Sequence, residues 1–396
     1  MPVSLRLLSA IFFTLDVLCW LGLDGLLRRG APAGLRWWRA GLAAFMVLQI
    51  AILFIIPGSI ILHVQAPSFL HVGRIPGSLF FLWHFLMLPA TSLLLLGLSA
   101  ARAIRHLLGR PPGMDGGSSD PGRRRFLGMA LAGPAATAAL TGAALYQLSR
   151  FRVRPMLLEV TGLPPALDGL RIAHVSDLHV GRLTHGDILD DLVDQTNALK
   201  ADLVLVTGDL IDHHLTDLPT ALDVVGRLEG KYGVFVCEGN HDLFESGDRF
   251  RAACLLAPGT ATYLFQDEKT IRIADQPVQI LGLNWCGPDE EWIRNEVRDI
   301  ARRRNPDAFP ILLAHHPHAF DTAEAEGFPL VLSGHTHGGQ LMLTDTLGWG
   351  PLIFRYWSGI YRKGRSRLVV SNGVGNWFPL RVGAEAEIIH LTLRAV

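Results

Sequence analysis

Residues 171–179 read RIAHVSDLH, residues 203–210 read LVLVTGDL, and residues 232–240 read YGVFVCEGN. Each is a short apolar or β-branched run that stops at a polar cluster, as a buried strand does where it feeds a loop. Between them lie HGDILDDLVDQTNAL (185–199) and LPTALDVVGRLE (218–229), whose apolar residues recur at helical spacing. The pattern resumes at VQILGLN (278–284), ILLAHHP (311–317), LVLSGHT (330–336), LVVSNGV (368–374) and EIIHLTL (387–393), with a helix predicted around Glu290 to Arg304. This alternation predicts an α/β domain with helices outside stacked sheets. In open α/β sheets, sites gather at the carboxyl ends of strands.

The polar clusters sit at those ends. They are Asp177 and His179 in SDLH, Asp209 and Asp212 in GDLID, and Asn240, His241 and Asp242 in GNHD, followed by His315 and His316 in AHHP and His335 and His337 in GHTH. Any one block occurs often by chance. Five in order, each closing an apolar run, are not what satisfied core histidines produce. Mixed imidazole and carboxylate donors suit two divalent metals ~3.5–4 Å apart that clamp a phosphate and activate water. In a strand, residues i and i+2 point to the same side. If that geometry persists past the strand ends, Asp177 and His179 reach one metal, and His335 and His337 reach the pair. Gly208, Gly239, Gly334, Gly338 and Gly339 allow tight turns and close backbone approach to an anion.

From about Leu170 to the C-terminus these blocks resemble the calcineurin-like metallophosphoesterase superfamily. The resemblance implies two stacked mixed β-sheets flanked by helices, a four-layer α/β fold, and two divalent metal ions. Asp177, His179 and His337 would hold the first metal, Asp209 would bridge, and Asn240, His315 and His335 would hold the second. The family pattern favours His315 over its neighbour His316. His241 would sit beside the phosphate and protonate the leaving oxygen or stabilise charge, oriented by Asp212 through a hydrogen bond. Such a donor set accepts Mn, Fe, Zn or Co. SGHTHGGQ (333–340), the preceding apolar helices and SNGVGNWFPLRVGAEAEIIHLTL (371–393) look like the membrane-associated YkuE/YaeI-type branch. That branch implies a phosphodiesterase or lipid-directed hydrolase, with a phospholipid or UDP-linked acyl sugar as substrate. Where the family often carries Arg-Gly before the glycine turn, this chain has Ser371, Asn372 and Gly373, with Arg381 nearby.

Charge divides the chain near residue 150. The 396 residues hold 36 basic and 36 acidic side chains, but residues 1–150 contain 13 Arg, no Lys and 4 Asp. Residues 151–396 therefore carry 23 basic and 32 acidic residues, a net charge of −9. An acidic domain argues against nucleic acid as a partner. The first part is explained by lipid. Three apolar stretches, about Leu7 to Leu27, Gly41 to Leu62 and Ser78 to Ala101, approach or exceed the ~20 residues that cross a ~30 Å hydrocarbon core. A fourth, Phe126 to Leu148, is weaker and rich in Ala and Gly.

We therefore expect residues 1–150 to form about four transmembrane helices with an arginine-rich loop, and residues 151–396 the catalytic domain. Arginines at 28, 29, 36 and 39, and again at 102, 105, 110 and 123–125, mark the cytoplasmic loops. Four spans then make this a multi-pass protein of a bacterial-type cell membrane with the catalytic domain outside the cytoplasm. Arg123 to Leu127 resembles a twin-arginine export signal and reads equally as a plain cytoplasmic arginine anchor, with the same topology either way, and Gly109 to Gly122 reads as a loop. Asp16, Asp24 and His84 within the spans read as helix packing. Asp187, Asp190, Asp191 and Asp194 read as a solvated helix face. His213 and His214 read as loop or site rim, and Trp285, Trp349, Trp357 and Trp377 as core or as an apolar rim.

Four cysteines without a CxxC pair argue against a structural zinc site or a disulfide scaffold. The leading function is hydrolysis of a phosphodiester or pyrophosphate on a lipid-linked substrate. Alternatives are a phosphatase or nucleotidase on a soluble phosphoester, with the helices only an anchor, and a membrane sensor or transport-associated protein with a regulatory phosphoesterase-like domain.

Overall fold

The computed structural model describes residues 3–29, 35–62, 79–80, 82–107, 136–137, 139–148, 150–287, 289–344 and 346–396. They fall into two compact units, Met1–Leu145 and Tyr146–Val396. The export-like string, the loop at 109–122 and the first half of the weaker apolar stretch lie outside the described residues.

The first unit is helical: α1 Val3–Arg29, α2 Leu35–Leu62, a π-helical turn Trp83–Met87 and α3 Leu88–Leu107. Among the described residues no helix is long and apolar enough to cross a membrane, so the expected transmembrane helices are not found there. Its core is apolar, with Phe12, Leu23, Leu42, Met46 and Trp83 buried, but polar groups share it. Asp16, Gln49 and His84 are fully buried, whereas Leu18, Leu21, Leu93 and Leu96 are exposed. Trp83 Nε1 donates to Asp16 Oδ1 at 2.7 Å, and His84 Nε2 lies 3.1 Å from Asp16 Oδ2. Asp24 pairs with Arg28 and Arg39, each at 2.6 Å. These acids pack helices together.

The second unit is a four-layer α/β domain. One six-stranded sheet has the order β1-β14-β2-β3-β4-β5, with β1 Phe151–Val160, β14 Ala386–Ala395, β2 Arg171–Val175, β3 Leu203–Thr207, β4 Val234–Cys237 and β5 Ala261–Tyr263. Strands β2 to β5 pair in parallel, and β14 enters antiparallel to β2 but parallel to β1. The other sheet runs β12-β13-β9-β8-β7-β6, from β6 Asp267–Ile273, β7 Gln276–Gly282, β8 Phe309–Leu313, β9 Leu330–Ser333, β12 Gly359–Lys363 and β13 Ser366–Val370. A short hairpin, β10 Met342–Thr344 with β11 Leu347–Gly348, stands apart.

The strand pleat sorts the core. Leu203 and Leu205 of β3 meet Ile311 and Leu313 of β8 between the sheets. Their neighbours Val204 and Val206 face outward onto α4 Asp187–Ala198, α5 Leu218–Gly226 and α6 Gly247–Leu256 through Leu192, Val225 and Phe250. On the far side, Leu312 and Val331 pack on α7 Glu290–Ala301 and α8 Ala319–Ala325 through Val297 and Phe320. Asp289 caps α7 by accepting the Trp292 N–H at 2.8 Å. All four cysteines are buried and unpaired. Stacking two sheets in this way brings the carboxyl ends of β2, β3, β4, β8 and β9 to one rim.

Candidate metal centre

Each metal-binding block begins where a strand stops. The strands β2 and β9 end at Val175 and Ser333, so Asp177, His179, His335 and His337 lie in loops rather than in extended chain. The i, i+2 strand argument therefore does not apply to them. Asp177, His179, Asp209, His335 and His337 all take left-handed backbone, with φ of 55°, 45°, 54°, 71° and 48°. Left-handed φ costs roughly 1–2 kcal/mol per non-glycine residue, and such strain persists where the surroundings over-determine it. Here the loops are zipped together: the N–H groups of Asp177 and His179 donate to the carbonyls of Gly208 and Asp209 at 3.0 and 2.9 Å. Gly334 is required by space, because a methyl there would run into Ser176 Oγ and Asp177 Oδ2.

Asp177, His179 and His337 bring one ligand atom each within 4.8 Å of one another, as do Asp209, His315 and His335. His337 Nε2 lies 3.3 Å from Asp177 Oδ1, and His179 Nε2 lies 3.0 Å from His337 Nε2 and 3.5 Å from Asp209 Oδ2. His315 Nε2 is 3.1 Å from Asp209 Oδ2. Asp209 thus stands between the two groups. Asn240 Oδ1 reaches His335 Nδ1 at 2.9 Å, beside the second group.

Tautomers can be read from the partners. His315 Nδ1 donates to the Thr207 carbonyl at 2.7 Å, which leaves Nε2, buried and without a hydrogen bond, to face Asp209, and a bound cation would take the place of any proton there. That orphaned nitrogen and the convergent carboxylates fit a cation. His316 is outside both groups; its Nδ1 accepts from the His318 N–H at 3.2 Å.

The electrostatics follow from burial and charge. Burial opposes ionisation of Asp177 and Asp209, but His337 holds Asp177, and His315 holds Asp209, below the usual carboxylate range. Burial also works against the His315 imidazolium, yet Asp209 raises it to about 9. Burial carries His335 down to about 3 and His337 down to about 4, so both present neutral rings.

His241 belongs to neither of these two groups; with His179 and Asp212 it forms a third, whose ligand atoms also lie within 4.8 Å of one another. Its Nδ1 donates in a short hydrogen bond to the main-chain carbonyl of Asp212, and the Asp212 carboxylate lies 3.7 Å away. The hydrogen bond expected between Asp212 and His241 is therefore made by the main-chain carbonyl rather than the carboxylate. Burial lowers the His241 pKa and Asp209 pulls it up. An arriving phosphoester adds negative charge that favours the imidazolium further.

Three further residues have structural tasks that local patterns did not announce. Asp242 is buried and accepts four main-chain N–H groups, from Asp209, Leu210, Ile211 and Gly239 at 2.8–3.2 Å. Its position in the GNHD block was the only sequence signal. Glu238 is buried, accepts from Nε and Nη2 of Arg251 at 2.7 Å each and from the main-chain N–H of Trp285, whose indole lies against His315 and His335. Arg381 is fully buried behind His337. It donates to His337 Nδ1 at 2.8 Å, to Asn376 Oδ1 and to the Asn372 and Gly375 carbonyls, so it faces away from any phosphate.

Asp242→Ala is expected to lower unfolding stability by about 3 kcal/mol or more, because four N–H groups lose their acceptor in the interior. Asp242→Asn, which keeps an accepting oxygen, should lose less. Thermal or denaturant unfolding of both variants checks the order, and equal stability of Asp242→Ala and the parent would contradict it.

His213 and His214 flank this rim, with the His213 ring 5.0 Å from Phe244. Trp377 lies 5.6 Å from His241 and 6.4 Å from His337. Trp357 backs the ligand loop by accepting from Thr336 Oγ1 at 2.6 Å.

Comparison with known proteins agrees with this geometry. Residues 170–339 match the family described as calcineurin-like phosphoesterase. The chain is 30% identical over 296 residues to the uncharacterized metallophosphoesterase YkuE of Bacillus subtilis, covering 69% of this chain and 98% of that protein. It is 30% identical over 250 residues to an uncharacterized metallophosphoesterase of Helicobacter pylori, covering 61% of this chain and 64% of that one. A transmembrane protein with metallophosphoesterase domain from Danio rerio is 30% identical over 253 residues, covering 60% and 56%. The match to the Helicobacter relatives therefore spans 64% of their length. With YkuE matched almost from end to end and the metal-binding loops within the matched residues, this chain belongs to the calcineurin-like phosphoesterase family, metal-dependent hydrolases of phosphoester bonds.

Proposed function

We propose that the chain hydrolyses a phosphodiester or pyrophosphate bond on a lipid-linked substrate, at a membrane to which its helical unit attaches it. The observation that carries the hydrolytic half is the convergence of Asp177, His179 and His337 with Asp209, His315 and His335 on a shared carboxylate. Two divalent cations held there would supply the charge that orients a phosphate and lowers the pKa of water. Asn240 completes the second group, and His241 presents Nε2 to handle the proton of the leaving oxygen. Among the described residues, the arginine that hydrogen-bonds to these groups is Arg381, and it is buried behind His337. A phosphodiester carries less negative charge than a monoester, so a site whose exposed positive charge comes from metals suits it better.

Support for the membrane half is the three apolar stretches and the exposed leucines of α1 and α3 around buried Asp16, Gln49 and His84. It rests on those features, since no described helix reaches the length and hydropathy of a span by itself. The chain is expected to stay in the membrane pellet through alkaline carbonate and to leave it in detergent. Release by carbonate would remove this half. We place the catalytic unit outside the cytoplasm, because arginine-rich loops favour the cytoplasmic side. A reporter that fluoresces only in the cytoplasm, fused after Val396, should stay dark, and a bright signal reverses the orientation.

A further inference from the structure

The segment 341–354, LMLTDTLGWGPLIF, follows four residues after His337 and contains one charged residue, Asp345. It folds as the β10–β11 hairpin and then a short helix, α9 Trp349–Ile353. The segment is fastened to the ligand loop. Trp349 N donates to the Leu341 carbonyl at 2.9 Å, and a methyl on Gly339 would run into Gly350. Yet it turns Leu343, Leu347, Leu352 and Ile353 outward, with exposures of 74%, 59%, 80% and 60%. Exposing four large aliphatic side chains on a fastened segment loses burial that a turn of polar residues would not need.

Aromatic side chains also lie beside the candidate metal-binding residues. Phe354, at the end of the segment, has its ring 6.1 Å from His335. Phe244 lies 4.5 Å from the His241 ring and Trp377 5.6 Å from it, and both are at least 40% exposed. Phe354, Phe244 and Trp377 thus stand next to residues that would surround a bound phosphoester.

We propose that segment 341–354, with Phe244 and Trp377, receives the acyl chain of a membrane-resident substrate and so sets specificity for long-chain phosphoesters. The occupant is an acyl chain, because segment 341–354 carries a single charged residue and turns four large aliphatic side chains outward, a surface that hydrocarbon covers better than a sugar or peptide does. This rests on the hydrolytic, lipid-directed reading above and names the surface that reading needs.

The test uses the full chain in detergent with Mn²⁺ and two p-nitrophenyl phosphodiesters, one butyl and one decyl, below their aggregation concentrations. The parent should prefer the decyl ester in kcat/KM by about 10-fold or more, as expected if several added methylenes are buried. The exposed positions allow Leu343→Ser, Leu352→Ser and Ile353→Ser together without opening the core. That triple variant should keep its rate on the butyl ester within about twofold and lose most of the decyl preference. If the parent prefers decyl and the triple variant does so equally, the segment assignment fails while the lipid-directed reading stands. No preference in the parent removes both. A change in particle mass with the preference intact would assign the surface to a second copy of the chain and overturn the proposal.

Discussion

Asp209→Asn is expected to lower turnover of bis-(p-nitrophenyl) phosphate by about 10³-fold or more, equivalent to ~4 kcal/mol of transition-state stabilisation. Asp209 stands 3.5 Å from His179 and 3.1 Å from His315, the nearest members of the two metal-binding groups. An amide keeps the shape and can still accept the His241 N–H that Asp209 Oδ1 takes at 2.8 Å. It carries no charge and bridges two cations poorly. His315, which Asp209 raises to about 9, also loses the charge that holds it there. The loss should therefore appear in metal binding and in turnover together, with the unfolding midpoint lowered by the metal binding that is lost. Turnover close to the parent would sink the bridging assignment.

His241→Ala should behave differently. Proton handling by a positioned side chain contributes about 10²–10⁴-fold, so a loss of that size is expected in kcat. Metal content should stay at the parent level, because His241 Nδ1 is committed to the Asp212 carbonyl, although the ring shares a candidate ligand group with His179 and Asp212. Asp212→Ala provides the comparison: the main-chain carbonyl remains, so the ring keeps its hydrogen bond and the loss should be much smaller. If His241→Ala also strips a metal, the residue is a ligand rather than a proton carrier. Equal losses in Asp212→Ala and His241→Ala would return the orienting role to the carboxylate.

The strands that carry the site were legible because each is buried on both faces. β3 and β9 read LVLVT and LVLS without interruption, and every residue in them is buried. Strand β1 was not read, since FRVRPMLLEV interleaves arginines with apolar residues and contains a proline. It pairs with β14 alone at the sheet edge, where such a sequence is tolerated. The exposed β6, DEKTIRI, was missed for a similar reason. Helix α7 was expected to run to Arg304 and stops at Ala301.

Residue identities at the site were legible, but their backbone was not. Alternation along a strand says nothing about loops in left-handed conformation, which depend on contacts with distant segments such as 208–210. Asp242, Glu238 and Arg381 were hidden for the same reason. A buried acid that organises main-chain N–H groups looks, in sequence, like any other aspartate in a polar cluster. Asp212 shows the converse: the residue was singled out correctly as His241's neighbour, while the atom that holds the ring belongs to the main chain.

The most direct test of the central claim, a two-metal site bridged by Asp209, is the metal content and electron paramagnetic resonance of the full chain loaded with Mn²⁺. Two equivalents per chain with a spin-coupled signal are predicted, and Asp209→Asn should lose the coupling. A single equivalent, or two uncoupled ions unaffected by Asp209→Asn, would contradict it.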